Sequence, residues 1–226
     1  MLRRVMFLKP RDGVTEQQMD GLFHACMETP RHIPGVVGMQ GGKNLIARVP
    51  EDAYMVDTLY RDAQAYETYR THPYHDEVLK PLFNRADPRS VVQSYDAVFY
   101  EPLREEFPEP GMKDLLRRSL IVRIEPGTPP EQTLQWEKHI MEMPRHIPAI
   151  RNWAFARVMQ TPRPSPWTHA WEMEIKDADA FRQYLDSPFH WGVVDRWFDP
   201  EWPMRIVAPR ILHGYYKTPA TVLGWK

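Results

Sequence analysis

Apolar and polar positions alternate with two different periods along the first half of the chain. Val5–Leu8 is a short apolar run followed by proline and glycine, which predicts a buried strand. Thr15 then has the pattern of a helix cap, and the apolar positions after it recur every three or four residues, as on one face of a helix. These positions are Met19, Leu22, Phe23, Cys26 and Met27. We expect the helix to end at about Thr29, because Pro30 disfavours helical geometry at the residue before it.

The remainder of the first half predicts further strands and helices. Asp62 can cap a helix that ends before Pro73, and a short helix is expected over His75–Leu82. The strands are expected over Gly35–Leu45, Tyr54–Tyr60 and Val91–Tyr100.

The same order of elements is written twice. Met27–Pro34 (M-E-T-P-R-H-I-P) returns as Met141–Pro148 (M-E-M-P-R-H-I-P), which indicates one folding unit joined to a copy of itself. In the second copy, Arg117–Arg123 matches Arg3–Lys9 of the first strand. The later elements of this copy are a helix over Glu131–Met143, strands over Asn152–Val158 and Thr168–Ile175, a helix over Asp177–Leu185 and a strand over Ile206–Tyr216.

Each copy therefore has the βαββαβ order of a ferredoxin-like repeat, and the predicted fold class is α+β. Helices cover one face of each antiparallel sheet, and the other face must also be buried, so we expect the two sheets to pack together. The predicted domains are a first repeat over 1–100, a Pro- and Glu-rich linker over 101–114, and a second repeat over 115–226.

The composition is that of a globular protein. A formal net charge of −1 gives no basic surface for nucleic acid or for an anionic membrane. No apolar run approaches the ~18 residues that span a bilayer, and the first one is too short for a signal peptide. The single cysteine, Cys26, excludes a disulfide framework and a thiolate metal cluster. We expect a cytoplasmic protein.

Two motifs give the chain a resemblance to a known family. An I-P-G/A turn follows the first helix of each copy, at Ile33–Gly35 and Ile147–Ala149. A Y-x-x-H-P-x-H run occupies Tyr69–His75, and Tyr184–His190 keeps it with serine in place of the first histidine. Through these motifs the chain resembles the stress-responsive dimeric α+β barrel (Dabb) proteins over nearly its whole length. The resemblance implies a dimer fused into one polypeptide, with the two sheets packed into one dimeric-α+β-barrel-like unit.

The resemblance also implies candidate catalytic residues. Olivetolic acid cyclase-type members of the family close a linear polyketide by an aldol reaction that uses histidine and tyrosine. Their catalytic pair lies in the Y-x-x-H-P-x-H run, which here means Tyr69 with His75, or Tyr184 with His190.

Two further positions of those cyclases distinguish the copies. A pocket histidine on the third strand is matched by His169 in the second copy and by Tyr54 in the first. A histidine on the first strand corresponds here to Arg4 and Ser119. The catalytic set is therefore partial in both copies and more complete in the second.

A histidine beside a tyrosine is a workable acid–base pair. His190 could abstract a proton alpha to a carbonyl while Tyr184 holds the developing enolate oxygen, and His169 could orient the substrate or the base. The alternative is that the Pro-x-His segment only ends a helix and its histidine hydrogen-bonds backbone carbonyls. His32 and His146, in the repeated Pro-Arg-His-Ile-Pro segments, are expected to satisfy the last carbonyls of the first helix of each copy.

Aromatic side chains are concentrated in the second copy, since no tryptophan precedes Trp136. Tryptophan side chains are well suited to line a pocket for an apolar or aromatic ligand. The predicted substrate-binding residues are Trp167, Trp171, Trp191, Tyr54 and His72. No metal site is predicted, because Pro73 interrupts the helix between His72 and His75 and no third ligand stands at an obvious spacing.

We therefore expect a cofactor-independent acid–base enzyme, a cyclase, lyase or isomerase, that acts on a small, largely apolar carbonyl compound through an enolate. Two alternatives stay open: a non-catalytic, stress-associated small-ligand-binding protein, and a cofactor-free monooxygenase of the wider barrel superfamily. The expected partner is a small molecule, and the sequence leaves open a homodimer of the fused chain.

Overall fold

The computed structural model describes residues 1–47, 50–159 and 165–225. The chain divides into two compact units. The first contains Met1–Glu101 and Gly214–Thr218, with Trp225, and the second contains Pro102–His213 and Pro219–Gly224. No helix among the described residues combines the length and the apolar character needed to cross a membrane.

The first repeat forms a four-stranded antiparallel sheet with the strand order β2-β3-β1-β4. Its strands are β1 Leu2–Pro10, β2 Val36–Lys43, β3 Tyr54–Tyr60 and β4 Val92–Tyr100. Its helices are α1 Glu16–His32, α2 Ala63–Thr71 and α3 Lys80–Phe83, with a π-helical turn over His75–Leu79 and a 3₁₀ turn over Pro50–Asp52.

The second repeat has a sheet with the order β5-β7-β8-β6-β9. Its strands are β5 Arg104–Glu106, β6 Lys113–Val122, β7 Ile150–Arg157, β8 His169–Ile175 and β9 Leu212–Ala220. Its helices are α4 Pro130–His146 and α5 Ala178–Leu185, followed by a π-helical turn over His190–Val194 and a 3₁₀ turn over Asp195–Trp197. The α+β class and the tandem βαββαβ order are confirmed. The segment predicted as a linker contributes β5, which pairs with β7 at the edge of the sheet.

The first helix of each repeat is longer than its sequence indicates. Thr15 and Gln18 form the predicted capping box at the start of α1. The predicted end at Thr29 was wrong, because α1 continues through Pro30 to His32, and α4 passes Pro144 in the same way. Proline has no backbone N–H, so the helix loses one hydrogen bond at that position. The ladder then resumes, since the N–H of Ile33 donates to the Thr29 carbonyl at 2.9 Å.

Strand alternation decides which side chains lie beneath the helices. Side chains of a strand point to the two faces in turn, so Leu2, Met6 and Leu8 of β1 share a face. These three pack in one hydrophobic cluster with apolar residues of α1. Arg4 occupies the remaining position of that face, and its guanidinium is therefore placed in the helix-covered layer. On β6 the same spacing places Arg118 between Leu116 and Leu120.

A buried carboxylate ties the chain after β9 to β8. Oε1 of Glu174 accepts hydrogen bonds from the backbone N–H groups of Val222 and Leu223, at 2.5 and 2.8 Å. Its Oε2 accepts from Nδ2 of Asn152 and from the hydroxyl of Thr221, at 2.7 and 2.6 Å. Four donors thus satisfy a carboxylate that has no exposure to solvent.

We expect Glu174→Gln to destabilise the second unit by about 2–3 kcal/mol. The NH₂ group of the new side chain would face groups that are themselves hydrogen-bond donors, so some of these buried donors would lose their acceptor. Local opening should appear first as faster hydrogen exchange of the Val222 and Leu223 amides. Glu77→Gln, at an exposed position, is the control and should change stability by less than ~0.5 kcal/mol. Equal exchange rates in both variants would contradict the assigned role of Glu174.

Candidate functional site

Each repeat brings the tyrosine and the last histidine of its Y-x-x-(H/S)-P-x-H run into ring contact. Tyr69 of α2 and His75 have ring centroids 4.5 Å apart. Tyr184 of α5 and His190 are 4.3 Å apart. Both histidines are the first residue of a π-helical turn, a local irregularity that is frequent at functional sites.

The residue that closes each π-helical turn differs in charge between the repeats. Its N–H donates to the carbonyl of the histidine, from Lys80 to His75 and from Asp195 to His190. Oδ2 of Asp195 lies 3.4 Å from Nδ1 of His190. In the first repeat, Asp76 lies 3.5 Å from Nδ1 of His75, but it also forms an ion pair with Lys80 at 3.1 Å. Among the described residues, the carboxylate beside His190 forms no further ion pair, whereas the carboxylate beside His75 does.

A buried arginine lies against each tyrosine. The Arg4 guanidinium lies 5.1 Å from the centre of the Tyr69 ring, and its Nη2 donates to the Tyr69 hydroxyl at 3.4 Å. The Arg118 guanidinium lies 5.1 Å from the centre of the Tyr184 ring. The sequence analysis did not predict a site role for either arginine, although strand alternation could have placed both under the helices.

The counterpart of Arg4 in the second repeat is Arg118, and the expected match with Ser119 was wrong by one residue. Arg118 faces Tyr184 as Arg4 faces Tyr69. Because neighbouring residues of a strand point to opposite faces, Ser119 lies on the other side of the sheet.

His213 of β9 is a further member of the second site that the sequence analysis missed. Nε of Arg118 donates to Nε2 of His213 at 3.0 Å, so the imidazole accepts at that nitrogen. In the first repeat, Phe99 takes the place beside the arginine, with its ring centre 5.9 Å from the Arg4 guanidinium. No motif links His213 to the Tyr184–His190 run, since strand pairing alone brings it there.

The second site keeps its histidine neutral. Burial, aided by the positive charge of Arg118, lowers the pKa of His190 to about 4. Burial raises the pKa of Tyr184, and it raises that of Asp195 although Arg118 acts in the opposite direction. At neutral pH, His190 is therefore an uncharged imidazole with a lone pair available as a base. In the first site, burial and Arg4 likewise lower the pKa of His75.

His169 belongs to a separate polar network. Its Nε2 lies 3.0 Å from Oε1 of Glu137, and Arg157 donates to both oxygens of that carboxylate at 2.7 and 3.0 Å. Burial opposes ionisation of Glu137, but the hydrogen bonds from Arg157 and His169 leave its pKa below the ordinary value. Burial lowers the pKa of His169 itself.

The predicted trio of His169, Tyr184 and His190 is not in mutual contact. In the part of the chain that the structure describes, no hydrogen bond or ring contact joins His169 to the other two. His169 pairs with Val122 across the sheet, four residues along β6 from Arg118, a separation of roughly 13 Å at the usual strand rise.

The predicted substrate-binding tryptophans are dispersed. Trp167 is buried with its ring centre 5.8 Å from the Arg210 guanidinium, and Trp171 is buried 5.4 Å from Trp153. Trp191 follows His190 directly in the chain and is 59% exposed.

The two remaining predicted residues lie in the first repeat. Tyr54 lines a surface cavity of about 450 Å³ together with Phe23 and Met27 of α1, and a Glu16–Lys43 ion pair lies at its side. His72 caps the end of α2, and its Nδ1 accepts a hydrogen bond from the N–H of Tyr74.

The repeated Pro-Arg-His-Ile-Pro segments support the motif histidines by stacking. His32 stacks on Tyr74 with ring centroids 4.1 Å apart, and His146 stacks on Phe189 at 4.0 Å. Each partner ring immediately precedes His75 or His190, so the repeated segment fixes the start of the π-helical turn. Among the described residues, no group of three or more His, Cys, Asp or Glu side chains is arranged to hold a metal ion.

The low pKa of His190 makes stability depend on pH. The unfolded chain takes up a proton at this histidine below its ordinary pKa of 6.5, whereas the folded chain does so only near 4. Stability attributable to His190 should thus be lost as the pH falls from 6.5 to 4, by roughly 1–2 kcal/mol between pH 7 and pH 5. Urea denaturation of the wild type and His190→Asn at both pH values measures the effect. The variant should lose less stability than the wild type, and parallel losses would contradict a depressed pKa.

Comparisons with known proteins agree with the repeat architecture. An anthrone oxidase-like protein has a TM-score of 0.66 at 10% identity, over 96% of this chain and 90% of that chain. A protein named as a candidate monooxygenase from Fusobacterium nucleatum has a TM-score of 0.65 at 10% identity, over 98% and 92% of the two chains. A similarly named protein from Lactobacillus acidophilus has a TM-score of 0.59 at 9% identity, over 97% and 95%. At these identities the likeness shows the fold alone.

A search of curated protein sequences found no match. The family model for the stress responsive A/B barrel domain matches residues 2–95 and again residues 116–209. One matched segment lies in each repeat, and residues 96–115 and 210–226 fall outside both. The chain therefore belongs to the stress responsive A/B barrel (Dabb) family, with two tandem copies of the domain.

Proposed function

We propose that the second repeat is a cofactor-independent acid–base site that enolises a small, largely apolar carbonyl compound, as a cyclase, lyase or isomerase does. The observation that carries this proposal is the contact of a neutral His190 with Tyr184, between Arg118 and the carboxylate of Asp195.

His190 is the proposed base. Asp195 lies on the Nδ1 side of its imidazole, so a proton on Nδ1 faces the carboxylate and the lone pair is on Nε2. The distance of 3.4 Å is long for a hydrogen bond, and such contacts commonly shorten when substrate binds. When Nε2 takes a proton, the carboxylate stabilises the imidazolium.

Arg118 and Tyr184 are the proposed stabilisers of the enolate oxygen. Loss of an alpha proton moves negative charge onto the carbonyl oxygen, and a fixed cation in a water-poor site stabilises that charge more than bulk water does. Nη1 of Arg118 has no hydrogen-bond partner among the described residues, so it is available as a donor. Burial raises the pKa of Tyr184, which keeps its hydroxyl protonated.

The proton that His190 removes from the substrate is returned to it later in the reaction. Nε2 of His190 takes the alpha proton and leaves an enolate. In an isomerisation, the imidazolium returns the proton to another carbon. In a ring closure, the enolate carbon attacks a second carbonyl of the same molecule, and the imidazolium protonates the new alkoxide. Neither route needs a redox cofactor.

The first repeat is the weaker candidate for this chemistry. It keeps the Tyr69–His75 pair, but Lys80 replaces the carboxylate at the position of Asp195, and Asp76 is held in an ion pair with Lys80. A cation in this place disfavours the imidazolium that a base must form. Trp191, which follows His190 and is exposed, is the proposed substrate contact.

A ligand-binding function without catalysis is the second candidate. The cavity beside Tyr54 favours it, because Phe23 and Met27 provide an apolar surface away from the Tyr69–His75 pair. The monooxygenase function named for two of the structural neighbours has no better support. Those neighbours share the fold with this chain at only 9% and 10% sequence identity.

Exchange of alpha protons with solvent deuterium tests enolisation without knowledge of the natural substrate. The probes are propiophenone and 3-benzoylpropionate in D₂O, followed by proton NMR. The wild type should accelerate exchange of at least one probe over buffer. His190→Asn should reduce that acceleration by roughly 10²-fold or more, because general base catalysis contributes about 10²–10⁴-fold. Tyr184→Phe should have a smaller effect.

Two control variants test whether the loss of exchange is specific to His190 and to the second repeat. His24→Asn changes an exposed histidine of α1 and should leave exchange unchanged. His75→Asn should also retain most of the exchange if the second repeat is the reactive one. A wild type that accelerates neither probe, or a His190→Asn variant as fast as the wild type, would refute the acid–base proposal and favour the ligand-binding protein.

A further inference from the structure

One buried arginine, Arg117, shows the usual environment of such a charge, because a carboxylate lies against it. Arg117 has no solvent exposure and forms an ion pair with Glu172, which is equally buried. A guanidinium stays protonated under all ordinary conditions, so a carboxylate is the usual way to keep its charge in a protein interior.

Two other buried arginines, Arg4 and Arg118, differ from Arg117. They are 7% and 4% exposed, and no carboxylate lies within ion-pair distance of either guanidinium in the described part of the chain. Arg4 donates to the hydroxyls of Thr58 and Tyr69, and its Nε has no partner. Arg118 donates to His213, and its Nη1 has no partner. Each arginine therefore carries a full charge and an unused donor.

Aromatic rings compensate only part of this cost. The Arg4 guanidinium lies 5.5 Å from the centre of the Tyr60 ring and 5.9 Å from that of Phe99, in addition to Tyr69. Each cation–π contact is weak, whereas burying an ion without a counter-ion is strongly unfavourable. An arrangement retained at the same position of both repeats at such a cost is suited to receive an anion from outside the chain.

We propose that Arg4 and Arg118 are equivalent anion receptors, each of which takes the carboxylate of a small apolar or aromatic acid. For the second repeat this inference rests on the proposed function and narrows it: the substrate carries a carboxylate as well as the carbonyl group. The carboxylate occupies the unused donor of the guanidinium, and at Arg118 the Tyr184 hydroxyl then holds the enolate oxygen. The aromatic side chains that lie against each guanidinium contact the apolar body of the acid.

A bound carboxylate would also activate the base. The groups that face His190 are Arg118 of β6, Tyr184 of α5 and Asp195 at the end of the π-helical turn, with His213 of β9 on the far side of the arginine. Arg118 is the cation among them, and its charge disfavours the imidazolium. Neutralising that charge with an anion moves the pKa of His190 back toward its ordinary value, so the correct substrate makes His190 a stronger base.

Benzoate and its neutral isostere benzamide test the inference with the full-length protein. Isothermal titration calorimetry should show binding of benzoate and at least tenfold weaker binding of benzamide. The Nε–H signals of Arg4 and Arg118 should shift in proton–nitrogen NMR spectra when benzoate is added. The imidazole signals of His190 should titrate at a higher pH with benzoate present than without it. Equal affinity for the two compounds would overturn the proposal. So would a failure of benzoate to bind at any concentration from 10-fold the protein concentration up to ~10 mM.

Variants assign the sites. Arg4→Gln and Arg118→Gln should each abolish one class of benzoate sites, and the double variant should retain none. Arg182→Gln, which changes an exposed arginine on α5, is the matched control and should bind as the wild type does. Benzoate binding that survives in a folded double variant would refute the assignment. If a variant does not fold, the two Nε–H signals of the wild type still decide which arginine responds.

The inference and the proposed function fail in different ways. Benzoate binding at Arg118 without proton exchange in any ketone supports the anion receptor and refutes enolisation. Exchange of propiophenone that depends on His190, without benzoate binding, supports enolisation and refutes the receptor. Faster exchange of 3-benzoylpropionate than of propiophenone, lost selectively in Arg118→Gln, supports both.

Discussion

A charge that cannot be removed lies in the helix-covered layer of each repeat, and the surrounding site is built on it. The period of two in β1 and β6 places Arg4 and Arg118 among leucines and methionines, where neutral side chains would be expected. Because arginine does not lose its proton, the neighbours have to accommodate the charge. Aromatic rings lie around the Arg4 guanidinium, and the Tyr184 ring lies against that of Arg118. The nearby histidine of each repeat has a lowered pKa, which favours its neutral form.

The two repeats share a backbone plan and differ in the polar groups set on it. At the turn after the motif, Lys80 in one repeat corresponds to Asp195 in the other, and this exchange reverses the charge beside the histidine. Next to the arginine, Phe99 corresponds to His213. These changes leave strand register and helix packing intact, because each replaces a side chain without moving the backbone that carries it. Duplication therefore allows one site to gain acid–base groups while the other keeps its apolar surroundings.

The sequence predicted the fold well, because the signals for it are local and occur twice. The capping box at Thr15, the limits of β3 and the repeated I-P-G/A turns all follow from short-range patterns. The ends of α1 and α4 were not predicted, because proline costs only one hydrogen bond in a last turn and packing of the helix outweighs that loss.

The site was predicted only as far as it lies within one motif. Tyr184 and His190 are six positions apart in the chain, and the helix and turn between them bring their rings together. Arg118 and His213 reach the same place from strands that are distant in sequence, and only sheet pairing joins them. The resemblance to related cyclases suggested His169 as a third member, whereas in this chain Glu137 and Arg157 bind that histidine. Glu137 has no signal of its own in the sequence, since a carboxylate on a helix is ordinarily exposed.

A histidine with a pKa of about 4 is by itself a poor base near neutral pH, because the driving force for taking a proton is small. The pKa of His190 is lowered by burial and by the charge of Arg118. The second of these causes is removed when an anion pairs with the guanidinium, so a bound anion makes His190 a stronger base. Linkage makes this coupling reciprocal: if a bound anion raises the proton affinity of His190, protonation of His190 strengthens anion binding by the same factor. The unpaired arginine thus couples substrate recognition to the strength of the base, and a neutral residue at position 118 would provide neither.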